Sequence, residues 1–288
     1  MRSLPILISL VLIIGCQPTT KESEAEWEMW RSNRIENLKS LWGYMNLAGL
    51  YWLEEGENSI GSDSSNAIIF PEKARPFIGK IIKEDTLVWF ETELDDIKID
   101  SLALQSAWIY GSEEGTKSIT QDSFLWMIIK RGERLGIRLI DTEHPKLSRD
   151  PDIQYFNYNP TLIFNAKYTP YPFPKKIQIS DVIGTQYTQI VEGQLEFEYE
   201  GDTYTLEPFR EGDKFFLIFS DETSAITTYG SGRYMYCKVP GPGETTVLDF
   251  NKSYNPPCAF TDFATCPIPP PENRLNLVID AGELDFHF

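Results

Sequence analysis

The sequence predicts a mainly β protein, folded as a single-domain antiparallel β-sandwich or barrel with one amphipathic helix near its N-terminus. At least seven short runs are rich in strand-forming residues, and turn signals separate them. Few segments between these runs have helical periodicity, which disfavours a parallel α/β sheet. About 270 residues follow an N-terminal signal, a length that suits one large β domain or two small ones.

The first fifteen residues have the features of an export signal. One positive charge, Arg2, precedes an apolar run from Leu4 to Ile14 of about 11 residues, whereas a bilayer-spanning helix needs roughly 20. The run ends in Ile13-Ile14-Gly15-Cys16, which resembles the lipobox that precedes a lipidated cysteine. We therefore predict a signal peptide over residues 1–15 and a diacylglyceryl group on Cys16. The alternative is an ordinary cleaved signal with an incidental cysteine.

A polar stretch after the cysteine predicts a tether over residues 16–24, followed by a β-rich domain over residues 25–288. The two acyl chains of a diacylglyceryl group are enough for stable membrane attachment. No aspartate follows Cys16, and Lys21-Glu22 resembles an acidic surface-targeting signal, although a plain solvated tether is the alternative. We expect a protein of the cell envelope, lipid-anchored to the outer membrane or cell surface and facing away from the cytoplasm.

The chain is strongly acidic, with a net charge of −17, and of −18 once Arg2 leaves with the signal. A field of this sign repels nucleic acid and anionic lipid headgroups, and no basic cluster large enough to reverse it is present. Nucleic acid is therefore excluded as an expected partner. The membrane is expected as a partner through the lipid anchor, and the sequence indicates no particular protein partner.

One amphipathic helix is predicted from Glu22 to about Lys39. Five apolar residues recur at spacings that keep to one side of a helix: Trp27, Trp30, Ile35, Leu38 and Trp42. The polar side carries acids as well as bases, which favours packing of the tryptophans on the β domain. A helix lying on the membrane surface is the alternative.

The strand-forming runs come after this helix. They are Thr86–Glu91, Phe124–Lys130, Leu135–Ile140, Leu195–Glu200, Thr203–Leu206, Lys214–Phe219 and Arg233–Val239. A short Gly-containing stretch joins the second run to the third, and Gly201-Asp202 joins the fourth to the fifth, so two hairpins are predicted. The stretch from Asp141 to Pro174 is rich in Pro, Asn and Tyr. It indicates either a long excursion or a boundary between two sheets.

The C-terminal segment from Asp249 to Arg274 differs from the rest of the chain. Six prolines restrict its backbone without forming regular secondary structure. Its Asn and Asp side chains can hydrogen-bond to backbone groups of the same segment. A rigid loop with many polar side chains is where a functional site is expected, so we predict that this C-terminal segment forms one wall of the site.

The sequence carries short motifs in and before the C-terminal segment: Gly232-Arg233-Tyr234, Asn255-Pro256-Pro257-Cys258-Ala259-Phe260, Cys266-Pro267 and Pro269 to Arg274. Three motifs occur earlier: Gly49-Leu50-Tyr51-Trp52-Leu53, Ile60-Gly61-Ser62 and Gly136-Ile137-Arg138. Together they resemble the signature of a bacterial and archaeal family catalogued as domain of unknown function 1684. The resemblance covers most of the mature chain. It implies a shared fold and leaves the function open, because the family has no established activity.

Three cysteines remain if Cys16 is lipidated. Strand alternation places Cys237 on the same face as Met235, which predicts a buried free thiol. Cys258 and Cys266 share the C-terminal segment, and in an exported protein we predict a disulfide between them.

Histidine scarcity limits the chemistry that the sequence predicts. The two histidines, His144 and His287, are too few to complete a zinc site with these cysteines, so no metal is predicted. His144 lies in a polar turn, where we expect it to be exposed, and a cysteine nucleophile with His144 as its base is weakly indicated. The chain has no Gly-x-Ser-x-Gly, phosphate loop or dinucleotide fingerprint, and no cofactor is predicted.

Two functional hypotheses follow. The first is a binding lipoprotein whose C-terminal segment and nearby aromatic residues form a pocket for a small polar or anionic ligand. Its candidate ligand-binding residues are Arg138, Arg233, Asp249, Asn251, Tyr254, Asn255, Glu272, Asn273 and Arg274. The second is an envelope hydrolase that uses carboxylates, such as Asp249 or Glu272, or Cys258. Carboxylates are so abundant that the catalytic residues stay unassigned.

Geometry would separate these hypotheses. Clustering of Arg138, Arg233 and Arg274 around a pocket would favour an anionic ligand, whereas two carboxylates roughly 5–9 Å apart across a groove would favour glycoside hydrolysis. Arg274 could grip a carboxylate or phosphate with two parallel hydrogen bonds. The alternative is that these charged residues satisfy backbone carbonyls or partner charges, with Arg274 paired to Glu272 or Asp249.

Overall fold

The computed structural model describes residues 20–111, 115–241 and 243–287. The predicted signal peptide, Cys16 and the first part of the predicted tether lie outside the described residues. Within the described ranges, no helix is both long enough and apolar enough to cross a membrane.

Helix α1 spans Thr20–Lys39, so it begins slightly before the predicted start at Glu22 and includes residues 20–24 of the predicted tether. Trp27 and Leu38 are buried, and Trp30 is half-buried. Trp42 lies beyond the end of the helix and is 60% exposed. The helix therefore packs through its middle and last turns. It ends at Lys39, so the helical spacing that predicted Trp42 on the same face does not apply at that position.

Twelve strands precede residue 142 in the described part of the chain. They are β1 (Leu47–Trp52), β2 (Gly56–Gly61), β3 (Ile68–Ile69), β4 (Gly79–Glu84), β5 (Leu87–Glu91), β6 (Lys98–Ile99), β7 (Leu102–Ala103), β8 (Ser106–Gly111), β9 (Gly115–Thr116), β10 (Ser118–Gln121), β11 (Phe124–Arg131) and β12 (Arg134–Asp141). They form two six-stranded sheets, ordered β1-β12-β11-β10-β6-β7 and β3-β2-β4-β5-β8-β9.

The two sheets face each other across a shared apolar core. Trp126 and Leu139 come from the first sheet, and Ile60 and Phe90 come from the second. Alternate residues of each strand enter this core because successive side chains of a strand point to opposite faces. All neighbouring strands are antiparallel except β2 and β3.

A second sheet pair follows a connecting stretch that contains 3₁₀ turns at Pro145–Ser148 and Pro160–Leu162. Its strands are β13 (Ile163–Ser180), β14 (Gln186–Tyr199), β15 (Asp202–Leu206), β16 (Phe209–Glu211), β17 (Lys214–Phe219), β18 (Arg233–Lys238) and β19 (Thr245–Asp249). The sheet orders are β15-β14-β13-β19 and β16-β17-β18. Phe164 and Leu195 of one sheet meet Leu217 and Met235 of the other in a separate core. The Asp141–Pro174 stretch therefore contains the boundary between two sheet pairs.

The predicted mainly antiparallel β fold with one N-terminal helix is confirmed. The first predicted hairpin is β11–β12, paired from Phe124 opposite Asp141 to Arg131 opposite Arg134. The second is β14–β15, with Leu195 opposite Leu206 at its open end. Each strand run that the sequence predicted corresponds to a strand of the structure.

The C-terminal segment runs between the two sheet pairs and contacts both. It contains short 3₁₀ turns at Phe250–Lys252, Pro257–Ala259 and Pro271–Asn273 and little other regular structure. Arg131 Nε on β11 donates to Thr265 Oγ1 at 2.7 Å, and the amide of Ile268 donates to the carbonyl of Ser180 on β13 at 2.8 Å. The segment therefore joins the first sheet pair to the second.

Candidate functional site

A cavity of about 690 Å³ lies between α1, strands β17 and β18, and the C-terminal segment. Six aromatic side chains line it: Trp30, Tyr44, Phe216, Tyr234, Tyr236 and Tyr254. Four cationic side chains also line it: Arg34, Lys214, Lys238 and Lys252. We name this space the aromatic cavity. Asp213 supplies a carboxylate at its edge.

The aromatic wall is a chain of rings in contact. The Phe216 and Tyr236 rings stack with centroids 4.9 Å apart, and Tyr254 continues the chain nearly parallel to Tyr236 at 6.5 Å. Tyr234 meets Phe216 edge-on at 5.0 Å. Tyr236 and Phe216 lie opposite each other on β18 and β17, so the sheet register itself holds the two rings together. The wall thus offers flat apolar faces with phenol groups at their edges.

Arg34 brings α1 to this wall. Its guanidinium lies 4.5 Å from the centroid of the Tyr254 ring, and its Nη2 donates to the carbonyl of Asn255 at 2.9 Å. Its Nε donates to Glu283, whose side chain is fully buried, at 2.9 Å. Burial acts to lower the pKa of Arg34, but the Glu283 carboxylate outweighs it and the net pKa is raised. Arg34 is therefore a fixed, charged part of the cavity wall.

Lys214 and Lys238 stand directly opposite each other on β17 and β18, and both are exposed. Neither forms an ion pair with any of the described residues. Glu211, the residue opposite Lys214 on β16, instead accepts a hydrogen bond from the Tyr236 hydroxyl at 2.9 Å. Like charges placed directly opposite each other destabilise a sheet. An anion held between the two ammonium groups would relieve this repulsion.

A second cavity, of about 580 Å³, adjoins the aromatic cavity at Phe216, which lines both. Arg131 and Thr265 are also part of its lining. The predicted site residue Arg138 is half-buried on β12, and its Nε has no hydrogen-bond partner among the described residues. Burial, followed by the charge of Arg131, lowers the pKa of Arg138. Two arginines that have no carboxylate partner among the described residues therefore lie close together where the C-terminal segment meets the first sheet pair.

The C-terminal segment contributes to the walls of both cavities. Lys252, Tyr254 and Pro257 line the aromatic cavity, and Thr265 and Pro267 line the adjoining one. Tyr254 is thus the one predicted ligand-binding residue that lines a described cavity.

Arg233 lies away from these cavities and is completely buried. Its Nη2 donates to Asp221 Oδ1 at 3.0 Å and to the carbonyl of Ile279 at 3.1 Å, while Nη1 donates to the carbonyl of Ala281. Burial lowers the pKa of Arg233, and Asp221 opposes this shift. Arg233 therefore joins β18 to the residues after the C-terminal segment.

Asp249 and Asn251 hold the first turn of the C-terminal segment. Asp249 Oδ1 accepts from the amide of Asn251 at 3.1 Å, and its carboxylate also pairs with Lys252 at 3.1 Å. The Asn251 side chain is buried and bonds both the amide and the carbonyl of Asn159, at 2.7 and 2.9 Å. The Asn251 carbonyl accepts from Trp27 Nε1 at 3.0 Å, which ties α1 to this turn.

Asn255 and Asn273 are fully buried and bond to main-chain groups. Asn255 Nδ2 donates to the carbonyl of Leu284 at 2.8 Å. Asn273 Oδ1 accepts from the amide of Glu207 at 2.7 Å, and its Nδ2 donates to the carbonyls of Glu207 and Ile218 at 2.9 and 3.0 Å. Through these hydrogen bonds, the two side-chain amides satisfy backbone groups outside the C-terminal segment.

Glu272 and Arg274 line neither of the two cavities. Glu272 pairs with Lys175 at 3.2 Å, and its pKa is lowered by a backbone hydrogen bond and by that lysine. Arg274 is exposed and has no ion pair within the described residues, so the alternative pairing with Glu272 or Asp249 is not formed. Arg138, Arg233 and Arg274 thus occupy three separate environments.

The structure holds Cys237, Cys258 and Cys266 as thiols, and Cys237 is buried beside Met235 as predicted. The amide of Cys258 donates to the sulfur of Cys266 at 3.0 Å, so these two residues are neighbours. No disulfide joins them in the structure, and the pairing stays a prediction. His144 is half-buried rather than exposed, because its Nδ1 accepts from the amide of Lys146 and caps a 3₁₀ turn.

The described residues contain no group of three or more His, Cys, Asp or Glu side chains placed to hold a metal ion. Sequence reasoning missed most of the aromatic cavity, including Arg34, Tyr44, Lys214 and Tyr236. These residues are far apart in the chain and belong to different elements. The alternation of Tyr234, Tyr236 and Lys238 along one strand was the available signal, but alternation alone does not show which face borders a cavity.

The fold and cavities define a mainly β protein with an aromatic and cationic cavity beside its C-terminal segment. Residues 151–284 match the model of a family described as protein of unknown function (DUF1684). The resemblance predicted from the motifs is confirmed over this range, which includes the C-terminal segment. The motifs at 49–53, 60–62 and 136–138 precede the matched residues.

The second comparison is structural. An uncharacterised protein of Haloarcula marismortui, solved in solution by NMR, is 28% identical to this chain. The match covers 49% of this chain and 80% of that protein, with a TM-score of 0.40. No curated protein matches the chain.

Proposed function

We propose that this protein is an exported lipoprotein of the cell envelope that binds a small anionic ligand with a flat face in the aromatic cavity. Aromatic acids, acidic sugars and phosphates that carry a ring combine a negative charge with a flat face. The observation that carries the proposal is the opposed pair Lys214 and Lys238, unpaired within the described residues, at the edge of an aromatic wall. In a chain of net charge −17, such a local excess of positive charge favours an anion.

The charges around the aromatic cavity support an anionic ligand. Four cations and Asp213 line it, and Lys252 already pairs with Asp249 while Arg34 pairs with Glu283. Lys214 and Lys238 are left to meet a ligand. A mostly apolar pocket with a few convergent polar groups is the usual form of a small-molecule site, and this cavity has a volume in the usual range.

The aromatic wall supports a ligand with a flat face. Phe216, Tyr236 and Tyr254 form a line of rings against which a sugar or an aromatic ring can stack. The sheet register and the ring-to-ring contacts hold these side chains in place before a ligand arrives. Little side-chain entropy is therefore lost on binding.

The hydrolase alternative has less support. Asp249 caps a turn and Glu272 pairs with Lys175, so both carboxylates proposed for catalysis have structural partners. Among the described residues that line the aromatic cavity, Asp213 supplies the carboxylate. Glycoside hydrolysis needs two carboxylates that face each other across the cavity. We therefore favour binding over hydrolysis.

Isothermal titration calorimetry with matched probes tests the binding proposal. We expect glucuronate to bind more tightly than glucose, and phenyl phosphate more tightly than phenol, because only the first member of each pair carries a negative charge that the lysines can bind. The double variant Lys214→Gln/Lys238→Gln should lose at least about tenfold in affinity, or about 1.4 kcal/mol. Affinity should also fall as salt is added.

The control for this experiment is Lys98→Gln, which removes an exposed lysine on β6 outside both cavities. It should leave the affinity unchanged. If neither charged probe binds, or if Lys98→Gln weakens binding as much as the double variant, the aromatic cavity is not an anion site.

Membrane attachment is tested separately, in the natural host or a bacterium that lipidates exported proteins. We expect the mature N-terminus to be Cys16 carrying lipid, and Cys16→Ser to move the protein from the membrane fraction to the soluble fraction or to stall its processing. Gln17→Ala, which keeps the cysteine, should remain in the membrane. A mature N-terminus at another residue, found by mass spectrometry, would show that this proposal is wrong.

A further inference from the structure

Cys258 and Cys266 form a pair of thiols with different surroundings. Cys258 is half-buried at the 3₁₀ turn Pro257–Ala259, whereas Cys266 is only 3% exposed. The amide of Cys258 donates to Cys266 Sγ at 3.0 Å. The two cysteines are thus neighbours, and Cys258 is the more accessible of them.

Tyr229 supplies a hydrogen-bond donor to the accessible sulfur. Its hydroxyl donates to Cys258 Sγ at 3.4 Å. Burial, together with the Cys258 sulfur, raises the pKa of Tyr229, so the phenol keeps its proton and remains a donor at neutral pH. The Cys258 sulfur therefore receives a hydrogen bond, which a thiolate accepts more strongly than a thiol does.

The two cysteines differ in acidity because of these contacts. The hydrogen bond from Cys266 lowers the pKa of Cys258, burial opposes this, and the Tyr229 hydroxyl lowers it further. The same hydrogen bond to Cys258, with burial, raises the pKa of Cys266. Cys237, which is buried in the core, has its pKa raised by burial to about 11. An inert cysteine is buried and has a high pKa, whereas a reactive cysteine is accessible and has a low pKa.

We propose that Cys258 and Cys266 form a thiol–disulfide exchange site, in which Cys258 is the attacking sulfur and Cys266 is the resolving sulfur. Its substrate class is a disulfide, either of a small thiol or of an exposed protein cystine. This activity is separate from the proposed ligand binding, because neither cysteine lines the aromatic cavity.

The exchange reaction has two steps. The Cys258 thiolate attacks one sulfur of the external disulfide, a mixed disulfide forms, and the other external sulfur leaves as a thiolate that takes up a proton. Cys266 then loses its proton to solvent and attacks Cys258 Sγ, which releases the second external thiol and leaves a Cys258–Cys266 disulfide. The protein dithiol is oxidised by two electrons and the external disulfide is reduced by two. The reverse sequence oxidises external thiols.

The surrounding contacts suit this reaction. The Cys258 and Cys266 side chains are already neighbours, so the resolving step needs no long approach. The prolines on either side, Pro256 and Pro257 before Cys258 and Pro267 after Cys266, restrict the backbone that carries the two sulfurs. The aromatic and apolar residues around them exclude most solvent from Cys266.

Alkylation of the reduced native protein tests the assignment of the attacking sulfur. After reduction and removal of the reductant, iodoacetamide should modify Cys258 at least about tenfold faster than Cys266 or Cys237 at pH 7, because the thiolate is the reactive form. Tyr229→Phe should shift the pH dependence of Cys258 alkylation upwards, and Cys266→Ala should shift it further towards the ordinary cysteine pKa of about 8.5. Tyr199→Phe, which changes the last residue of β14, is the matched control and should cause no shift.

Equilibration with glutathione tests the exchange itself. In mixtures of oxidised and reduced glutathione, the wild-type protein should convert reversibly between the dithiol and the Cys258–Cys266 disulfide, whereas Cys266→Ala should accumulate glutathione on Cys258. Cys258→Ala should accumulate none at Cys266. The proposal is overturned if Cys258 is no more reactive than Cys237, or if glutathione can neither form nor reduce the disulfide. Probe binding in the aromatic cavity is measured independently, so the two proposals can fail separately.

Discussion

Replacing Arg233 with Met is expected to lower the free energy of unfolding by about 3–5 kcal/mol, because the change leaves the buried Asp221 without its cation. Both side chains of this ion pair are completely shielded from solvent. Met is an unbranched apolar side chain that fills much of the same space without a charge, so the steric change is modest. The cost therefore comes from the uncompensated carboxylate and from the carbonyls of Ile279 and Ala281, which lose their donor.

Urea unfolding measures this loss as a lower midpoint at an unchanged slope. The matched control is Arg210→Met, which removes an arginine from the surface pair with Glu192, where the nitrogen and oxygen are 3.8 Å apart and both side chains are half-exposed. That change should cost at most about 1 kcal/mol. If the two variants lose the same stability, Arg233 does not have the structural role that its contacts indicate.

Replacing Arg34 with Met is expected to release α1 from the second sheet pair and to destabilise the protein by about 3–5 kcal/mol. Arg34 neutralises the buried Glu283, bonds the carbonyl of Asn255 and stacks on Tyr254. Without the arginine, Glu283 remains buried with one charge and fewer donors. Hydrogen exchange should show faster exchange of the α1 amides than in the wild type, since local detachment is the least costly relaxation.

Two further variants make this result specific. Lys39→Met removes a cation at the end of the same helix, whose ion pair with Asp150 is exposed, and should cost at most about 1 kcal/mol. The double variant Arg34→Met/Glu283→Gln should recover part of the loss, because the buried charge is gone while the amide oxygen can still accept from the amide of Asn255. A double variant that is less stable than Arg34→Met alone would contradict a charge-based explanation.

Local signals predicted the helix, both hairpins and seven of the nineteen strands in the described part of the chain. The hairpin of β14 and β15 was predicted because Leu195 to Glu200 alternates strictly and Gly201 provides the turn. Strand β13 was not predicted, because three prolines interrupt it at positions 170, 172 and 174. They are tolerated because β19 pairs only with Ile163 to Lys167 and the pairing with β14 is interrupted between Pro170 and Lys175. Such long-range pairing is not visible in a single sequence.

The functional site was harder to predict for a physical reason. A polar side chain in a proline-rich segment can serve a ligand or its own backbone, and both uses favour the same residue types. Asn251 and Asn273 bond main-chain groups far away in the sequence, at Asn159 and Glu207. The segment lines both cavities, but the cations of the aromatic cavity come mainly from α1, β17 and β18, which only the tertiary fold brings together.

The contacts of α1 also bear on the order in which the chain assembles. Arg34 and Glu283 are separated by 249 positions in the sequence, and Trp27 and Asn251 by 224. Contacts between residues so far apart carry a high loop-closure cost, and proteins dominated by such contacts fold slowly. The helix can dock only after the second sheet pair and the residues beyond the C-terminal segment are in place. We therefore expect the aromatic cavity, whose wall includes Arg34 and Trp30, to be among the last parts of the protein to form.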